Sequence, residues 1–276
     1  MAMGTAHHAG TMPTFLEMGA VPASPELDLG DVHVALAFDS VHDLLWTATR
    51  KGTLSALRYP TFEVHCSSRN HVAEILELHP VDGGVLSLSA QEFFFHDRGG
   101  MLRQRYTHSL LVQGTLRACC PHLSFDGLET RATVGLSTGA VLSVDLDTGM
   151  AMRVADLGEA AAPLRVRQWD HAVVCACADG RLRVLDPRTK AHHSRVAITL
   201  NAHEGRVLDV DVDPASGLAA TVGETLVRLN RFDASSPRRP SPDPCVRLFD
   251  LRSSRTLRAV QSGVPAPTHL RWVVRP

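Results

Sequence analysis

Apolar residues in this chain come in short runs, several alternating with polar positions, and the runs recur in pairs. Ala132-Thr133-Val134-Gly135-Leu136 is followed by the turn Ser137-Thr138-Gly139 and then by Val141-Leu142-Ser143-Val144-Asp145-Leu146. Val173-Val174-Cys175-Ala176-Cys177 is followed by Ala178-Asp179-Gly180 and then by Leu182-Arg183-Val184-Leu185-Asp186. Alternate residues of a strand share a face, so this pattern sets one side of each run against a neighbouring sheet. Glycine supplies the backbone freedom that a tight hairpin needs. Each unit is predicted to be a strand, a turn and a second strand ending in aspartate.

The unit recurs upstream as Leu44-Leu45-Trp46-Thr47-Ala48-Thr49, Arg50-Lys51-Gly52 and Leu54-Ser55-Ala56-Leu57. A weaker copy runs from Gly84-Val85-Leu86-Ser87-Leu88 to Phe93-Phe94-Phe95-His96. Downstream, Ala202-His203-Glu204-Gly205-Arg206-Val207 opens a fuller copy. It continues through Leu208 to Val212, the turn Asp213 to Gly217 and a strand from Leu218 to Val222. After a long insertion, Val246 to Asp250 is placed as its last strand. The period is about forty residues, as between Asp145 and Asp186, which is the spacing of propeller blades. About five blades result, and propeller rings close with roughly four to eight. His269-Leu270-Arg271-Trp272-Val273-Val274 is expected to begin a sixth blade cut short at Pro276, as in a fragment or truncated gene model. The alternative, hairpins stacked as two facing layers, does not explain why spacing, glycine and aspartate recur together.

Composition narrows the function classes. The chain has 276 residues, enough for a large core, and 44% of them are hydrophobic. Lys plus Arg number 28 against 29 Asp plus Glu, a net charge of -1. That balance carries no footprint for general nucleic-acid or membrane binding, although Arg238 and Arg239 form a local basic candidate. No stretch is long and apolar enough to predict a transmembrane helix, and Met1 to Gly30 lacks the pattern of a secretory signal. Cys66, Cys119, Cys120, Cys175, Cys177 and Cys245 contain no Cys-x-x-Cys pair and are expected to be reduced thiols in an intracellular compartment.

Candidate chemistry gives no catalytic, cofactor or metal site. Cys175 and Cys177 share a strand face near His171, but structural zinc needs four converging ligands, and both are expected in the core. Cys119 and Cys120, before Pro121-His122, point to opposite faces, and no third group orients a nucleophile. His7-His8 and His192-His193 are expected at the surface. His203 is expected to stiffen its blade by bonding Thr221 or Asp213. Asp209, Asp211 and Asp213 share a face, which could suggest magnesium, but a solvent-facing polar edge is the preferred reading. Gly83-Gly84 and Gly99-Gly100 are read as turns because no strand–glycine–helix context surrounds them. The tract Ala234 to Pro244 is expected to be a disordered, basic, proline-rich loop, with a partner-binding or phosphorylation segment as the alternative; Ser236 and Ser241 each precede proline.

Generic WD40 landmarks are degenerate: Ala202-His203 stands for Gly-His and Phe249-Asp250 for Trp-Asp. The order of segments resembles the N-terminal propeller of the catalytic subunit of the Pan poly(A)-nuclease deadenylation complex. The likeness runs from Ala37-Phe38-Asp39 and Asp43 to Trp46, through Arg98-Gly99-Gly100, His108 to Leu111 and Leu142 to Thr148. It continues in Gly180 to Thr189, in Val246 to Arg252 and in Pro267 to Trp272. An insertion between the third and fourth strands of the fifth blade is part of it.

The resemblance implies an all-β, WD40-like propeller, of seven blades in the parent protein, with about five to six here. Residues 1–30 are expected to be a flexible extension, and residues 31–276 the propeller, incomplete at its C-terminus and carrying the insertion at 230–244. The implied role is a non-catalytic scaffold in cytoplasmic poly(A)-tail shortening and mRNA decay, with P-bodies as a further location. Implied partners are the Pan pseudokinase-like regulatory subunit and poly(A) ribonucleoprotein, with no membrane; direct nucleic-acid contact is left open. In that family a linker, an inactive ubiquitin-hydrolase-like domain and a DEDD-type exonuclease using Mg²⁺ follow the propeller. No catalytic residue or cofactor is therefore carried over to this chain. A stand-alone WD40 adaptor and an enzyme with its site in the central channel are the other function classes.

Overall fold

The computed structural model describes residues 31–106, 114–122, 131–189, 195–228, 238–262 and 267–271. They form five antiparallel sheets, each from a consecutive stretch of chain. Blade one holds β1 (His33–Asp39), β2 (Leu44–Thr49), β3 (Thr53–Arg58) and β4 (Glu63–Arg69). Blade two holds β5 (Ile75–Val81), β6 (Gly84–Ser89), β7 (Phe93–Asp97) and β8 (Leu102–Arg105). Blade three holds β9 (Leu116–His122), β10 (Arg131–Leu136), β11 (Ala140–Asp145) and β12 (Ala151–Asp156). Blade four holds β13 (Pro163–Trp169), β14 (Ala172–Cys177), β15 (Arg181–Leu185) and β16 (Val196–Asn201). Blade five pairs β17 (Val207–Asp213), β18 (Leu218–Arg228), β20 (Cys245–Asp250) and β21 (Arg255–Gln261), with β19 (Arg238–Pro242) on β18 alone.

First strands meet in succession: β1 beside β5, β5 beside β9, β9 beside β13, and β13 beside β17. The sheets therefore radiate from a common centre. Alternation along β14 shows why. Val173, Cys175 and Cys177 pack with Ala118, Cys120 and Val141 of blade three. Val174 and Ala176 pack with Val207, Val210 and Phe249 of blade five. Both faces of an inner blade are thus covered, which is why its second strand reads as a continuous apolar run. Each fully buried Val or Leu contributes roughly 1.5–3 kcal/mol. Trp46 is fully buried in the corresponding layer between blades one and two.

The recurring glycine and aspartate have separate structural causes. Gly180 sits at φ +82 in the β14–β15 turn, and its carbonyl accepts the N–H groups of Ala202 and His203 at 2.9 Å each. A Cβ there would strike the His203 carbonyl oxygen, so the turn presses bare backbone against the loop that enters blade five. Asp145 ends β11 and caps the following turn: its Oδ1 accepts Thr148 N at 2.9 Å and Thr148 Oγ1 at 2.8 Å. Asp186 and Asp250 do the same with Arg188 N and Arg252 N, both at 2.9 Å.

Three expectations are corrected. The insertion of blade five lies between its second and third strands, because β18 runs on to pair with β19 before β20 rejoins the blade; Val246 to Asp250 belongs to the third strand and β21 is the fourth. Arg238 to Pro242 is a strand, not loop, because the extended end of β18 supplies a backbone ladder. The segment 267–271 carries no strand. Residues 1–30, His108 to Leu111, His192-His193, Ser236 and residues 272–276 lie outside the described residues.

Candidate functional site

The first strands carry charge toward the centre. Glu77 of β5 is 7% exposed, and its carboxylate accepts from Arg165 Nη1 at 2.7 Å and from Cys119 N at 2.8 Å, with His79 Nε2 at 3.2 Å. Arg165 Nε also lies 3.7 Å from Asp209 Oδ1. Arg167 stands 3.6 Å from Asp209 and 3.5 Å from Asp211. Within β17, Asp209 Oδ1 accepts the neighbouring Val210 N and Oδ2 accepts Leu270 N, both at 2.9 Å, which ties the 267–271 segment to the centre. One chain of ion pairs and hydrogen bonds therefore joins β5, β9, β13, β17 and the C-terminal segment. Asp209 and Asp211 correct the expectation of a solvent-facing edge: Asp209 is buried, and Arg165 and Arg167, distant in sequence, lie 3.5–3.7 Å from the two carboxylates.

Burial by itself would raise the Glu77 pKa. The His79 hydrogen bond and the charges of Arg165, His79 and Arg167 overcome it and bring the carboxyl down to about 2. Burial, then the Glu77 charge, pushes the Cys119 thiol well above its ordinary value. A carboxylate so firmly ionised and paired is a weak general base, and a thiol held protonated is a weak nucleophile. Donor atoms of Glu77, His79 and Cys119 lie within 4.8 Å of one another. Arg165 occupies one Glu77 oxygen, and the protonated thiol must ionise before it could ligate a metal. This arrangement suits the joining of blades better than chemistry.

A cavity of about 510 Å³ opens beside this chain, lined by His33, Leu36, Leu78, His79, Arg167 and His269 among others. At the end of blade one, Phe38, Tyr59 and Phe62 stack edge to face, with centroids 5.5 and 5.8 Å apart. Phe38 is 46% and Val41 80% exposed, so an apolar corner faces solvent.

The sequence candidates are placed as follows. Cys175 and Cys177 are fully buried between blades three and four. Cys119 and Cys120 enter different apolar layers. Gly83 and Gly100 occupy turns at positive φ. His203 is buried, with Nε2 3.0 Å from Thr221 Oγ1 as expected and Nδ1 3.0 Å from Asp243 Oδ2. Asp243 therefore takes the place expected for Asp213, which instead caps its own turn through Ser216 Oγ and Ala215 N. Blade two contains a second such group that sequence reading missed: His71 Nε2 meets Ser87 Oγ at 2.7 Å, and Ser87 Oγ meets His96 Nδ1 at 3.3 Å. Its signal was a histidine just before a first strand and a serine within the second.

No protein-family model matches the chain. It is 24% identical over 245 residues to the PAN2-PAN3 deadenylation complex catalytic subunit of Yarrowia lipolytica, covering 89% of this chain and 22% of that protein. The corresponding Schizosaccharomyces pombe subunit is 23% identical, covering 86% and 20%. The chain is thus similar to PAN2 catalytic subunits over most of its length. It spans about a fifth of the length of these relatives. The Pan2 WD40 domain of Neurospora crassa superposes with a TM-score of 0.69 at 21% identity, covering 89% of this chain and 71% of that one. The Doa1 WD40 propeller gives 0.63 at 14% identity, covering 82% and 67%. The fold is a WD40 β-propeller.

Proposed function

We propose that this chain is the non-catalytic propeller module of a poly(A)-specific 3′-exoribonuclease catalytic subunit, a scaffold in cytoplasmic poly(A)-tail shortening and mRNA decay, with P-bodies as a further location. The observation that carries the reading is the sequence likeness to PAN2 subunits along nearly the whole propeller. The central groups support it: they are paired across blades in a way that favours rigidity over acid–base or nucleophilic work. A propeller acts by holding loops and rim surfaces in fixed relation, and the Phe38–Tyr59–Phe62 corner is a surface of that kind. The partners implied are the PAN3-type regulatory subunit and poly(A) ribonucleoprotein. Any Mg²⁺ chemistry belongs to an exonuclease domain of the parent protein.

The test is recovery of partners on tagged chain expressed in its own cells, with a poly(A) degradation assay on the purified chain. Co-recovery of a PAN3-type subunit or poly(A) ribonucleoprotein, with no shortening of poly(A), is expected. Recovery of an unrelated complex alone would favour the stand-alone adaptor, and Mg²⁺-dependent shortening by the pure chain would overturn the non-catalytic reading.

A further inference from the structure

The insertion of blade five is built as a ribbon. β18 leaves its pairing with β20 at Thr221 and with β17 at Gly223, and from Glu224 to Arg228 it pairs with β19 alone. Ser241 lies opposite Thr225, and Pro240 opposite Leu226. On its far side β19 pairs with no strand among the described residues. Pro240 and Pro242 have no N–H to offer, which suits an edge. The result is an extended segment with one side open to solvent.

Arg238, Arg239 and Pro240 are exposed, and Ser241 is half-buried. Among the described residues, neither guanidinium has a carboxylate partner, and Ser241 Oγ makes no hydrogen bond. The nearby acids are engaged elsewhere. Glu204 accepts from Thr225 Oγ1 at 3.2 Å and Leu226 N at 3.3 Å, and Glu224 accepts from Arg206 at 2.7 and 2.9 Å. Among the described residues, two cations without a carboxylate partner thus precede a hydroxyl without a hydrogen bond. They offer charge to an acidic substrate groove, and Arg239, on the same face as Ser241, offers the product phosphate a partner.

We propose that Ser241 is a phosphorylation site, selected by a Ser/Thr protein kinase that reads Arg238 and Arg239. Ser241 Oγ attacks the γ-phosphorus of ATP. The Oγ–P bond forms as the bond from that phosphorus to the β,γ-bridging oxygen breaks, ADP departs, and the hydroxyl proton passes to the kinase's carboxylate base. The added charge of about -1.5 to -2 largely cancels the positive charge that Arg228, Arg238 and Arg239 give the ribbon. It does so where the ribbon rejoins the blade, since Asp243, two residues on, bonds His203. The inference rests on the ribbon alone and stands apart from the deadenylation reading.

Purified full-length chain is incubated with ATP and an arginine-directed kinase in one arm, a proline-directed kinase in the other, and phosphate is mapped by peptide mass spectrometry. Phosphate on Ser241 is expected in the arginine-directed arm. Ser241→Ala should abolish that signal and leave the thermal midpoint unchanged, since no hydrogen bond is lost; Ser236→Ala should retain it. Replacing Arg238 and Arg239 by Ala should slow incorporation about tenfold or more, the scale of one lost charge-assisted contact. Unmodified Ser241 in that arm, modification by the proline-directed kinase alone, or an unchanged rate in the arginine variant would overturn the proposal.

Discussion

Replacing Glu77 by Gln keeps the side chain's shape and removes the charge on which the central chain converges. Arg165 and Arg167 would then face only Asp209 and Asp211, at 3.5–3.7 Å rather than 2.7 Å. Breaking a buried ion pair by removing one partner costs about 3–5 kcal/mol, and residual water contact at Arg165 places this case at the lower end, about 3 kcal/mol. Proton linkage gives a second route to the magnitude. Moving the carboxyl from its ordinary 4.5 to about 2 corresponds to about 3 kcal/mol of preference for the ionised form in the folded chain. The folded value is depressed, so this stability is fully present above pH 4.5 and is lost as pH falls through 4.5 toward 2. Urea denaturation of wild type and Glu77→Gln at a series of pH values measures both. The expected difference is about 3 kcal/mol at pH 7, shrinking below pH 4.5 and near zero at pH 2. A variant within about 0.5 kcal/mol of wild type at pH 7, or a difference that does not change with pH, would show that the centre does not hold the blades together in this way.

Gly180→Ala should destabilise by at least about 1–2 kcal/mol, from the left-handed backbone and the clash with the His203 carbonyl, seen as a lowered urea midpoint. Thr221→Val should cost about 1–3 kcal/mol, because the buried His203 Nε2 loses its hydroxyl partner; an unchanged thermal melt would remove His203 from the blade's support. Burial pushes His71, His96 and His122 down to about 4, with neighbouring Arg105, His71 and Arg131 respectively adding to it. Between pH 6.5 and 4 the unfolded chain takes up protons that these folded rings refuse, so stability should fall across that window. Imidazole NMR signals that titrate near 6.5 in the folded chain would contradict it.

The second and third strands of blades one to four were legible in the sequence because two physical demands coincide there. In the inner blades both faces are covered by neighbouring blades, so the runs are apolar. The turn between them packs against the next loop, so it carries glycine at Gly52, Gly139 and Gly180. The fourth strands escaped notice because the rim imposes no such demand: β21 is exposed at every position, and Arg255-Thr256-Leu257-Arg258 has no periodicity to detect. The central chain was hidden for a different reason. Glu77 and Arg165 meet across 88 residues of sequence, and each by itself resembles an ordinary surface charge. Asp209 and Asp211 were misread on the same ground, since alternation with Val210 and Val212 fits either water or a polar centre on the far side. What separates the two is convergence: where the first strands meet, inward charges such as Glu77, Arg165 and Asp209 lose most of their water and lie beside one another. A repeat read from sequence therefore carries a second expectation beyond its apolar layers. Opposite charges on the first strands of different repeats should be tested as partners before either is assigned to solvent.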